Sequence, residues 1–194
     1  MKKQRENKIS IIVIASVVVL AVIVGIGIKI YQRAQTKTYI FPKDLIDYAG
    51  LTVERQIEAI NRDNKTKDVC TAVYANKDGS FSLELNEKQQ KWWINNTKEK
   101  IEKSIEKIEQ NGGVVEVSED RKSVIFEVPP DFNQAILFTA GGNVIMFAAE
   151  YQVLTENTGN WEIYVCFKKS ETGEIIAEGT LPYDTIEFTN EDLK

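Results

Sequence analysis

Between Lys8 and Lys29 the chain runs for 20 residues without an ionisable side chain, and 14 of those 20 are Ile, Val or Leu. At a rise of about 1.5 Å per residue, a helix of that length reaches roughly 30 Å, the thickness of a bilayer's hydrocarbon core. Each aliphatic residue contributes about −0.3 to −0.6 kcal/mol toward insertion, which outweighs the small penalties of Ser10, Ser16, Gly25 and Gly27. Lipid offers no hydrogen-bond partner to the backbone, so even a β-branched run is driven into a helix. The sequence therefore predicts a transmembrane helix over residues 9–30, contacting the bilayer through Ile9 to Ile28. It follows a basic segment, residues 1–8, that carries Lys2, Lys3, Arg5 and Lys8.

The apolar run exceeds the roughly 7–15 residues of a secretory h-region, and no small-x-small cleavage site follows it. The chain instead continues as Lys29-Ile30-Tyr31-Gln32-Arg33, and residues 31–40 read as a short linker. Residues 1–37 hold seven of the 24 basic and one of the 29 acidic residues. The remaining chain thus carries 17 basic and 28 acidic residues, a net charge of −11. Such a domain has no electrostatic footprint for nucleic acid and is repelled by an anionic inner leaflet. The expectation is a cytoplasmic N-terminus and an extracytoplasmic domain over residues 41–194.

Within that domain, Phe41-Pro42 opens a first helical segment with Leu45, Ile46 and Tyr48, and Thr52 caps a second with Val53, Ile57 and Ile60. The period then switches to two. Asn76-Lys77-Asp78-Gly79 joins two strands, the second of which, Ser80 to Leu85, alternates as if one face were wet. Asn86 caps a long helix, with Gln89 in the capping-box position and Ile94, Ile101, Ile105 and Ile108 along a seam. A second hairpin turns at Glu119 to Lys122, and a third at Ser170 to Gly173. Between them, residues 132–154 read as a buried helix bent at Gly141-Gly142, since Gln134, Thr139 and Asn143 make a poor membrane span. Ile186 and Phe188 suggest a short edge strand. The fold class is α+β: an antiparallel sheet of about six strands in three hairpins, ββαββαββ, with helices on one face.

The chain has no histidine, which removes Ser–His and Cys–His activation and most zinc sites. No Walker or dinucleotide motif is present. Asn61, Asp63 and Lys65 resemble the start of a calcium loop, but its glycine and closing Glu are missing. No catalytic, cofactor or metal site is expected. Cys70 and Cys166 could pair outside the membrane, or could be two buried thiols. Trp92 and Trp93 head the long helix about 100° apart, so one could face a partner while the other packs.

An apolar N-terminal helix before an α+β head resembles type IV pilins and pseudopilins in architecture. The glycine, aromatic and glutamate that mark their processing site have no counterpart around Lys8-Ile9-Ser10-Ile11. The Lys-, Ile- and Asn-rich usage is that of a low-GC bacterium. The reading is a non-enzymatic, single-pass membrane-anchored protein whose acidic domain binds or scaffolds another envelope protein or a cell-wall component. Its alternatives are a subunit that assembles through the anchor helix, and a carboxylate-based envelope hydrolase.

Overall fold

A computed structural model describes residues 35–189 and 191–193. The basic segment, the anchor expected over residues 9–30 and the first linker residues lie outside the described residues. Among the described residues, no helix is long and apolar enough to cross a membrane.

The architecture is α+β with two sheets. β1 (Lys37–Phe41), β2 (Ala72–Ala75) and β3 (Phe81–Leu85) form one antiparallel sheet in the order β1-β3-β2. β4 (Val114–Val117), β5 (Ser123–Val128), β6 (Ile163–Lys169) and β7 (Ile175–Leu181) form the other, in chain order. The helices are α1 (Lys43–Tyr48), α2 (Val53–Lys67), α3 (Glu87–Glu109), a single turn α4 (Gln134–Ile136) and α5 (Gly142–Glu156). A π-helical turn, Leu137–Gly141, joins α4 to α5.

All three hairpins expected from the turn signals are present, as β2–β3, β4–β5 and β6–β7. Gly79 supplies the first turn with a φ of +84°. The hairpins do not assemble into one antiparallel sheet. β5 and β6 are parallel, with Ser123 opposite Tyr164 and Val128 opposite Lys169. Parallel neighbours need a long crossover, and the α4–α5 helix is that crossover. Its apolar composition follows from its position, with Val144, Ala148, Ala149, Val153 and Leu154 all fully buried. Gln152 is the one polar residue fully buried in α5. Its Nε2 donates to Arg121 O at 2.8 Å and Glu162 O at 2.9 Å, and its Oε1 accepts from Glu162 N at 3.2 Å.

Three local expectations are corrected. Residues 37–40, read as linker, belong to β1, whose alternation buries Tyr39 and Phe41 against β3; the Phe41 and Phe81 rings stack at 4.7 Å. β3 has no wet face at its start. Ser80 and Ser82 are both buried, and Asn76 Nδ2 donates to their hydroxyls at 2.8 and 3.0 Å. Ile186 and Phe188 form no strand; the tail crosses the end of the second sheet, where the Phe188 ring lies 4.7 Å from that of Phe167.

α3 begins as expected, with Gln89 N donating to Asn86 Oδ1 at 3.0 Å and Asn86 N donating to Gln89 Oε1 at 3.0 Å. Its buried stripe is Thr97, Ile101, Ser104 and Ile108, while Ile94 and Ile105 are only half-buried beside it. α3 and α5 pack together over the four-stranded sheet, and one buried apolar cluster runs through both sheets.

Candidate functional site

Concavities open on the domain, and two of them are large enough to hold a ligand or a partner side chain. The first is a groove of about 500 Å³ between α1, the π turn, the end of β7 and the C-terminal tail. Its walls are apolar, with Ile145, Trp161, Phe167 and Leu181 among them. A π turn carries one residue more than an α turn and displaces its side chains from regular helical positions. At this turn Leu137 is buried while the next residue, Phe138, is 62% exposed, its ring stacked on Phe188 at 5.8 Å. Asp44, Asp47 and Asp184 also line the groove, and among the described residues no lysine or arginine does. Asp44 Oδ1 accepts from Trp161 Nε1 at 3.0 Å and from Leu45 N at 2.7 Å; Asp184 Oδ2 accepts from Thr180 N at 2.6 Å. Asp47 pairs with Lys43 on the exposed side of α1, an i,i+4 contact worth only about 0.3–0.5 kcal/mol. Burial pushes the Tyr48 phenol up to about 12.

The second is a cavity of about 320 Å³ bounded by α1, α2, α3 and α5. Three of these helices present stripes at helical spacing: Ala59, Ile60 and Asp63 from α2, Trp92, Asn96 and Lys100 from α3, Met146, Phe147 and Glu150 from α5. Glu150 Oε1 accepts from the buried Thr97 hydroxyl at 3.2 Å. Burial raises the Glu150 carboxyl above its ordinary range, offset in part by the charge of Lys100 and the Thr97 hydrogen bond. Lys100 Nζ lies 4.8 Å from the centre of the Phe147 ring. Asp63, the other carboxylate, is 3.3 Å from Lys67 Nζ on its own helix.

Trp92 and Trp93 both line this cavity, edge to face at 5.5 Å. They differ in their indole N–H groups. Trp93 Nε1 donates to Val69 O at 2.8 Å, whereas Trp92 donates to no described residue. Cys70 and Cys166 are free, buried thiols rather than a disulfide. Cys70 precedes β2 of the first sheet, and Cys166 sits in β6 of the second. Burial, with the nearby charge of Asp68, pushes the Cys70 thiol up to about 11, which disfavours the reactive thiolate. Glu150, Arg62, Lys100, Phe138 and Trp161 were not legible as site residues. Glu150 alone had a signal, as the first charge after the uncharged stretch that begins at Asn133.

Among the described residues, the architecture is an α+β domain with two sheets. No family model, curated protein or solved structure matches the chain significantly.

Proposed function

We propose that the chain is a single-pass membrane-anchored binding protein. Residues 9–30 span the bilayer, residues 1–8 remain cytoplasmic, and the acidic domain stands outside. There it engages another envelope component by way of the groove between α1 and the C-terminal tail. The observation that carries this reading is the exposed Phe138 ring beside an apolar groove whose charged lining, among the described residues, is Asp44, Asp47 and Asp184. Exposed aromatics at the mouth of an apolar concavity are the usual anchors of protein interfaces. The carboxylates select a partner segment that offers large apolar side chains flanked by Lys or Arg.

A carboxylate-based hydrolase is the weaker reading, because such chemistry needs two acids free to act on one bond. In the cavity that holds Glu150, the second acid, Asp63, is already paired with Lys67.

Protease treatment of intact cells tests the topology, with loss of the domain expected while residues 1–8 stay protected. Affinity capture from solubilised membranes tests the groove. A partner retained by the parent chain and lost with Phe138→Asp supports it, and equal retention by both overturns it.

A further inference from the structure

We propose that the cavity bounded by α1, α2, α3 and α5 is a binding site for a small amphiphile with an apolar, aromatic-sized body and one anionic head, a carboxylate or its equivalent. This does not depend on the groove reading, since the two concavities share no lining residue.

The body is argued from shape. A cavity of about 320 Å³ has room for about ten water-sized groups, at the small end of ligand sites. Trp92, Phe147 and Met146 supply flat or adaptable apolar walls.

The head is argued from hydrogen-bond accounting. Arginine, lysine and the indole nitrogen can only donate. Arg62, Lys100 and Trp92 all line the cavity, and none donates to any described residue. Neither cation forms an ion pair among the described residues, although the domain carries a large excess of carboxylates. Of the carboxylates in the lining, Asp63 faces Lys67 and Glu150 accepts from the Thr97 hydroxyl, so neither is bonded to these three donors. The cavity therefore gathers the donors of Arg62, Lys100 and Trp92, two of them cationic and Lys100 resting on the Phe147 ring, the complement of an anion attached to an apolar body. Arg62 is exposed, which puts the head at the mouth and the body against the tryptophan. Glu150 would repel an anion if charged, but burial favours its neutral form.

The test uses the full chain in lipid nanodiscs, with empty nanodiscs as blank, and isothermal titration of 4-phenylbutyrate against 4-phenylbutylamine. The two probes share a body of about ten carbon atoms, matched to the cavity, and differ in the sign of the head. The carboxylate is expected to bind at least about tenfold more tightly than the amine, and to quench tryptophan emission. Replacing both cations (Arg62→Ala with Lys100→Ala) should weaken it about tenfold with an unchanged circular dichroism spectrum. The single Arg62→Ala variant, at an exposed position, should show part of that loss in a chain whose folding is not at issue. Equal or tighter binding of the amine would assign the cavity to cations through Glu150 and overturn the proposal. No binding of either probe, or binding by the double variant within twofold of the parent, overturns it equally.

Discussion

The indole N–H of Trp161 donates to Asp44 Oδ1 at 3.0 Å, joining the segment before β6 to the first turn of α1. The two residues are far apart in sequence, and both line the groove. Trp161 is 3% exposed, so its ring is core while its nitrogen serves the site. Trp161→Phe should cost about 1–3 kcal/mol, from the lost bond and a partly collapsed void. Denaturant unfolding measures the loss, and affinity for the groove partner should fall with it.

Phe138 makes a contrasting prediction. Its ring is largely in solvent and rests on Phe188, so Phe138→Asp should change stability by no more than about 0.5–1 kcal/mol. Partner capture should nonetheless be lost. A stability loss as large as that of a core truncation would mean that Phe138 is structural.

Gln152 holds the crossover helix to both strands of the parallel pair through Arg121 and Glu162. Gln152→Leu preserves much of the volume but leaves backbone groups of those two residues without partners. At about 1–3 kcal/mol per orphaned group, the variant should lose at least about 2 kcal/mol. Hydrogen exchange should show the ends of β5 and β6 nearest Arg121 and Glu162 opening first.

Gly113 follows α3 at a point where a Cβ would lie 2.7 Å from Ile108 Cγ2 and 3.1 Å from the Phe132 ring. Ile108 is fully buried and cannot yield cheaply. Gly113→Ala should therefore destabilise by about 1–3 kcal/mol, readable as a lower midpoint in urea.

Glu150 predicts a pH dependence. Burial holds its folded-state pKa above the ordinary value of 4.5, so the native state keeps a proton that the unfolded chain has released. This group's effect is unfavourable to folding as pH rises through that raised value, and it vanishes on acidification below the ordinary one. Glu150→Gln should stabilise the protein at about pH 8 and give no advantage near pH 4. Thermal melts of both chains across that range check the sign; a constant difference at every pH would mean that Glu150 does not titrate there.

What was readable before the structure was local. The Thr52 cap, the Asn86–Gln89 capping box and the Asp78-Gly79 turn each depend on residues within four positions of one another, so their chemistry is visible in a short window. Trp92 and Trp93 were visible as a pair, but their separate roles were not. Which indole reaches Val69 and which faces a cavity depends on a neighbour outside that window. Ser80 and Ser82 misled for a different reason: their partner Asn76 is close in sequence, but hydroxyls read as wet until that bonding and their burial are seen together.

The sequence by itself determined the hairpins, the helix ends, the separation of a basic, uncharged-aliphatic N-terminal region from an acidic remainder, and the absence of histidine chemistry. Periodicity, turn residues and charge are properties of the chain alone. Only the tertiary structure decided that the hairpins divide between two sheets, that β5 and β6 run parallel, and that Arg62, Lys100 and Glu150 meet around one cavity. Those outcomes depend on where a crossover helix lands and on which buried groups find partners there, and a one-dimensional pattern does not specify either.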